Sequence, residues 1–127
     1  MPYPALFSPL TLNRLTLDNR IVLTAMVTRL SGEDGFVNQA ILDRYARFAR
    51  GEPGLIVVEA TAVHEAKSGP LLRLSADHFI AGHRELLECI RAAGPSKVAL
   101  QIIHFLKIAR SGWRQTVDML TPADRLR

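Results

Sequence analysis

The amino-acid sequence predicts an α/β protein built on a parallel sheet that is covered on both faces. Three apolar segments are predicted to be strands and two amphipathic segments between them to be helices, giving the order strand–helix–strand–helix–strand. The strand segments are apolar runs rather than alternating patterns, which is typical of parallel strands buried on both faces. Polar residues follow at the carboxyl ends of these strands, where α/β sheets bind ligands.

A short hairpin precedes the sheet. Residues 10–12 and 15–17 both read Leu-Thr-Leu and flank Asn13-Arg14, a pattern that predicts two short strands joined by a tight turn. The first strand of the sheet is predicted at residues 20–26, within the apolar string RIVLTAM.

The first strand–helix unit continues with a predicted helix over residues 39–50. Asn38 is a suitable N-cap, and Gly51 suits the stop. Apolar residues at helical spacing form one stripe on this helix: Ile41, Leu42, Tyr45, Phe48 and Ala49. The second strand is predicted at residues 54–60.

The second helix is predicted over residues 82–93 and is stopped by Gly94-Pro95. The third strand, residues 97–103, begins the string KVALQIIHF and carries a glutamine near its carboxyl end. An unpaired amide in a buried strand costs about 1–3 kcal/mol. Gln101 is therefore predicted to point at a ligand.

Composition narrows the class of protein. The chain has 127 residues, 48% apolar and 22% charged, and its net charge of +4 is spread along the sequence. Scattered charge of this size predicts no nucleic-acid partner. A single cysteine, Cys89, allows no disulfide framework, and the histidines show no metal-ligand spacing, so no metal site is predicted.

Neither a membrane span nor a signal peptide is expected. No apolar run approaches the ~18–20 residues that cross a bilayer, and MPYPALFSPL lacks a basic start and an apolar centre. A cytoplasmic location is the default expectation. A dinucleotide-binding sheet is also disfavoured, because TAMVTRLSGEDG after the first strand has no GxGxxG spacing and the sequence has no GxxxxGK[ST].

Three strings resemble the old yellow enzyme family, also called NADH:flavin oxidoreductases or ene-reductases. LFSPLTLNRLTLDNRIVLTAM resembles the family's N-terminal pattern, GLIVVEATAV its second-strand motif, and QIIH its third-strand Q-L-x-H. Each string is weak alone, but three in the right order at strand ends are specific. The resemblance covers roughly residues 5 to 120.

The resemblance implies the N-terminal part of an FMN-binding (β/α)₈ TIM barrel, with the hairpin closing its bottom. It implies NADH or NADPH as hydride donor and an α,β-unsaturated carbonyl compound, a small molecule, as substrate. Gln101 would hydrogen-bond the pyrimidine ring, because an amide offers both a donor and an acceptor. The residues implied to contact FMN are Thr24, Ala25, Met26, Val27, Ala60 and Gln101.

Other residues near these strand ends receive structural interpretations. Glu59 is expected to point away from Ala60 and to serve the fold, and His104 is expected to hydrogen-bond a neighbouring loop. Val27 stands where many members have threonine or cysteine, and valine donates no hydrogen bond to the flavin. Thr28 would take over that bond if the turn were shifted by one residue.

Further departures from the family pattern are Ala25 in place of proline and Leu106 in place of glycine. Because of these departures, the substrate is not inherited from the family.

The sequence also predicts that the barrel is incomplete. A (β/α)₈ barrel takes about 250 residues, whereas residues 1–127 supply three strand–helix units and none of the family's catalytic side chains. No catalytic residue is assigned, and the 127 residues alone are expected to be inactive. Three explanations stay open: a piece of a longer enzyme, a chain that pairs with another polypeptide or with further copies, or a stable fragment without a catalytic role.

Two other functions stay open at this stage. A flavin-free barrel such as an aldolase or isomerase would need a lysine or carboxylate at a strand end, and Glu59 is the one carboxylate candidate. A basic oligomerising or binding module would depend on Lys107, Arg110 and Arg114.

Overall fold

Strands and helices alternate in the computed structural model, which describes residues 2–65 and 69–104. The elements are β1 Leu10–Leu12, β2 Leu15–Leu17, β3 Val22–Leu23, α1 Gln39–Ala49, β4 Leu55–Ala62, β5 Leu72–Arg73, a 3₁₀ turn Asp77–Phe79, α2 Ile80–Ala93 and β6 Lys97–Ile103. The predicted basic cluster of Lys107, Arg110 and Arg114 lies outside the described residues, as does Leu106.

The predicted hairpin is confirmed. β1 and β2 pair antiparallel, with Leu10 opposite Leu17. Asn13 has a φ of 54°, in the left-handed region that asparagine tolerates better than most residues. Leu15 lines a cavity together with Ser96 and Lys97, so the hairpin lies at the amino end of β6. Because the strands are parallel, their carboxyl ends lie at the opposite end of the sheet from the hairpin.

The three predicted strands are neighbours and parallel, as expected. β3 and β6 both pair in parallel with β4. The predicted first strand over residues 20–26 is too long, because only Val22 and Leu23 pair with β4, opposite Leu55 and Ile56. Residues 24–27 do not pair with β4, so the strand ends before its predicted carboxyl end at Met26.

One strand was not predicted. β5 pairs in parallel with Thr61 and Ala62, the last two residues of β4. β6 occupies the other edge of β4 at this level, so β5 extends the edge that β3 has left. A two-residue strand shows no periodicity in sequence, and it exists because β3 ends early and leaves this edge free.

The core lies between the sheet and the two helices. Ile56 and Val58 of β4 pack with Ile41 of α1 and with Leu86 and Ile90 of α2. α1 begins where predicted, since the Asn38 side chain accepts a hydrogen bond from the Ile41 N–H. α2 begins at Ile80, two residues before its predicted start, because a 3₁₀ turn leads into it. Neither helix of the described residues is long and apolar enough to cross a membrane.

Asn19 and Arg20, in the first of the three motif strings, make hydrogen bonds that hold the start of the sheet together. Asn19 Oδ1 accepts hydrogen bonds from the N–H groups of Ile21 and Gly54, which joins the start of β3 to the start of β4. Arg20 Nε donates to Ser8 Oγ at 3.1 Å and so ties the N-terminal segment to β3. These two residues therefore tie the start of β4 and the N-terminal segment to the start of β3.

The sheet has open edges within the part of the chain that the structure describes. There, β6 pairs only with β4. Large apolar side chains are also exposed on and beside the sheet, among them Val22, Met26 and Ile102. A closed barrel would bury such residues and pair such an edge, so the architecture is that of a partial barrel.

Candidate functional site

A β-bulge places the second and third strand ends side by side. Val58 pairs with Leu100 and Thr61 pairs with Ile102, so two residues of β4, Glu59 and Ala60, stand opposite the single residue Gln101. Bulges of this kind occur next to active sites, where they redirect side chains. The bulge therefore brings Ala60 level with Gln101 at the carboxyl edge of the sheet.

Gln101 lies on the face of the sheet that the two helices do not cover, so the expectation of a sheet covered on both faces is wrong for the described residues. Val98 and Leu100, its neighbours in the alternating pattern of β6, pack against the helical core, so Gln101 and Ala99 face the opposite way. Gln101 is exposed, and its side chain makes no hydrogen bond to any other described residue. A polar amide without a partner is thus directed to the side where a barrel interior would lie.

Residues 24–27 complete this edge from the first strand. Leu23 pairs with Ile56, and the Thr28 N–H donates a hydrogen bond to Glu59 Oε2 at 2.9 Å. The four residues between these fixed points run beside the end of β4. Thr24, Met26 and Val27 are exposed and Ala25 is half-buried, whereas Ala60 exposes 4% of its surface.

Glu59 connects the strand end to the segment beside it. Its side chain is fully buried and accepts hydrogen bonds from the Thr28 N–H, from the Thr28 hydroxyl at 2.9 Å and from the Tyr45 hydroxyl at 3.4 Å. The Glu59 N–H donates to the Tyr45 oxygen at 2.8 Å. These contacts agree with the structural interpretation of Glu59. They leave its carboxylate no exposed surface with which to act as a base.

Residues 5–126 match the model of the NADH:flavin oxidoreductase / NADH oxidase family. The chain belongs to this family.

The relatives of this chain are much longer than the chain itself. It is 35% identical over 124 residues to an NADH oxidase of Thermoanaerobacter brockii, covering 95% of the chain and 19% of that protein. It is 41% identical over 102 residues to an NADPH dehydrogenase of Bacillus pumilus, covering 78% of the chain and 30% of that protein. The chain thus spans less than a third of the length of these relatives.

Solved structures give the same picture for the fold. The old yellow enzyme from Trypanosoma cruzi superposes with a TM-score of 0.72 at 30% identity, covering 84% of this chain and 29% of that one. A morphinone reductase in complex with tetrahydroNAD matches with a TM-score of 0.72 at 28% identity over 84% of this chain. This chain therefore has the N-terminal part of a TIM-barrel fold, as the sequence predicted.

Thr28 does not take the role that the departure at Val27 left open. Its hydroxyl donates to the Glu59 carboxylate and accepts from the Leu30 N–H at 3.1 Å. Because the single hydroxyl proton is used within the protein, Thr28 has none to donate to a flavin. The idea that Thr28 replaces the threonine or cysteine of other family members is wrong in this structure.

Tyr45 was assigned from the sequence to the apolar stripe of α1 alone. It does pack in the core, but its hydroxyl also binds the Glu59 side chain and backbone. The hydroxyl of a tyrosine in an otherwise apolar stripe was the sequence signal of a polar partner beneath the helix.

The histidines contact their neighbours rather than forming one cluster. The His104 ring lies 5.0 Å from the ring of His64, in the loop after β4. His104 does contact a neighbouring loop, but through its ring; the predicted hydrogen bond is wrong among the described residues. His83 Nε2 lies 2.8 Å from the Arg73 carbonyl oxygen and joins α2 to β5.

Ionisation of Tyr45 should destabilise the fold at high pH. Burial is the largest of several effects that together raise the pKa of Tyr45 from 10.0 to about 12. A raised folded-state pKa favours the protonated phenol, so this stability is fully present below pH 10 and is lost as the pH rises towards about 12. Urea unfolding across this range should show the loss in the wild type, and Tyr45→Phe should flatten it. An equally steep loss in the variant would assign the effect to other groups.

Proposed function

We propose that this chain supplies the pyrimidine side of an FMN site in an enzyme that uses NADH or NADPH to reduce an activated alkene. The observation that carries the proposal is that residues 24–27 run beside the carboxyl ends of the parallel strands β4 and β6. At this edge the Gln101 amide is exposed and has no hydrogen-bond partner among the described residues. Membership of the NADH:flavin oxidoreductase family supports flavin as the ligand of this edge.

Each part of the edge suits one part of the cofactor. The Gln101 amide offers a donor and an acceptor to the adjacent N–H and C=O groups of a pyrimidine ring. Residues Thr24, Ala25, Met26 and Val27 present backbone beside the ring, and the small side chain of Ala60 allows close approach. When bound, FMN supplies the transfer of hydride from the nicotinamide to the β-carbon of an α,β-unsaturated carbonyl compound.

Residues 1–127 are proposed to form the first three strand–helix units of such a barrel. The open edge of β6 and the 29% coverage of the old yellow enzyme chain support this placement. The remaining strands would come from further polypeptide, as one chain or as an assembly of chains, and would bring the proton donor. A cytoplasmic location is part of the proposal, because NADH and NADPH are coenzymes of the cell interior.

An absorption spectrum tests the cofactor directly. We expect the protein, purified at its full natural length, to absorb in the visible as oxidised FMN does and to bleach when NADH or NADPH is added without oxygen. An α,β-unsaturated ketone should then restore the oxidised spectrum. A colourless protein that binds no added FMN would contradict the proposal.

A further inference from the structure

Glu59 is a fully buried carboxylate that the proposed chemistry does not use. A buried charge is costly unless hydrogen bonds satisfy it. Here both oxygens are occupied, Oε2 by the Thr28 N–H and hydroxyl and Oε1 by the Thr28 and Tyr45 hydroxyls. A substrate cannot reach a carboxylate without exposed surface, so any effect of Glu59 on a ligand must pass through the residues it holds.

The residues that Glu59 holds belong to the proposed cofactor edge. Thr28 directly follows Val27, and Glu59 directly precedes Ala60. The segment 24–27 lies outside the β3–β4 ladder, which ends at Leu23. Strand pairing holds this segment at its start, next to Leu23. The bonds between Thr28 and Glu59 hold it at its end.

We infer that Glu59 is a positioning residue that holds residues 24–27 against the end of β4 in the conformation that contacts FMN. This inference rests on the proposed FMN site. Tyr45 completes the arrangement from α1, since its oxygen accepts the Glu59 N–H and its hydroxyl binds the same carboxylate. Helix α1 thereby supports the β-bulge of β4 that contains Glu59.

Isosteric variants separate positioning from general stability. Glu59→Gln keeps the size of the side chain but turns one acceptor into a donor, which cannot accept from Thr28. Thr28→Val removes the hydroxyl and keeps the backbone N–H, and Thr28→Ser restores a hydroxyl. Ile56→Val is the matched control, because Ile56 is equally buried on β4 but packs only in the core. Two readouts are measured on the protein at its full natural length: the dissociation constant for FMN and the amide hydrogen exchange of residues 24–28.

We expect Glu59→Gln and Thr28→Val to weaken FMN binding by about tenfold, a loss of one hydrogen bond to a charged group, and to accelerate exchange within residues 24–28. Thr28→Ser and Ile56→Val should preserve both properties at a temperature where all variants are folded. Faster exchange without weaker FMN binding would overturn the inference, as would a Glu59→Gln protein indistinguishable from Ile56→Val.

A wild type that binds no FMN would refute the proposed function separately. The exchange comparison, run without flavin, would then decide the positioning role alone. Acceleration confined to residues 24–28 in Glu59→Gln would support it, and unchanged exchange would overturn it.

Discussion

Replacing Gln101 by leucine should weaken the binding of oxidised FMN by about twofold to tenfold in the protein at its full natural length, because one neutral hydrogen bond contributes about 0.5–1.5 kcal/mol. One hydrogen bond to a charged group is worth about 1.5–3 kcal/mol, and the reduced flavin carries its negative charge on the pyrimidine ring that Gln101 is proposed to contact. Because the reduced flavin would lose about 1–1.5 kcal/mol more binding free energy than the oxidised flavin, the two-electron reduction potential should also fall by about 20–30 mV. Flavin fluorescence titration and dye-equilibrated photoreduction measure the two quantities.

His104→Leu is the matched control for this experiment. His104 is exposed, lies three residues further along, and contacts the His64 ring. We expect the affinity and potential of this variant to stay close to those of the wild type. If Gln101→Leu kept both values while His104→Leu lost them, the cofactor contact would belong to the histidine.

Gly94→Ala should destabilise the protein by about 3 kcal/mol, the upper end of the usual cost of overpacking. An added Cβ at position 94 would lie far inside the van der Waals contact distance to the Ala49 carbonyl oxygen, which is backbone and cannot rotate away. Gly94 itself is extended, with a φ of −177° that any residue can adopt. The glycine is thus required because the ends of α1 and α2 approach closely. Urea unfolding with the same cofactor loading measures the change.

Gly51→Ala provides the comparison for Gly94. Gly51 follows α1 as Gly94 follows α2, but a Cβ there would meet the Phe48 carbonyl oxygen at 3.2 Å and nothing else nearby. Its substitution should change the free energy of unfolding by less than about 1 kcal/mol. A loss in Gly94→Ala as small as that in Gly51→Ala would mean that the helix ends can move apart, contrary to the close contact described here.

The sequence alone predicted the order and the parallel pairing of the main strands. Apolar runs and helical stripes report how each segment is buried, and burial on both faces favours a parallel sheet. The same information placed Gln101 at a strand end, because an amide inside an apolar run needs a partner. The three motif strings predicted the family, which the comparison over residues 5–126 confirms. The cofactor roles of the six proposed contact residues stay predictions.

Only the tertiary structure decided how the strand ends are held. The early end of β3, the two-residue β5 and the bulge opposite Gln101 all depend on which edge of β4 is free at each level. Glu59 and Thr28 are 31 positions apart in sequence, and no local pattern reports that one will bind the other. The two glycines after the helices look alike in sequence but differ in the backbone that faces them. Local periodicity encodes burial within one segment, whereas these features arise from contacts between segments that exist only after the chain has folded.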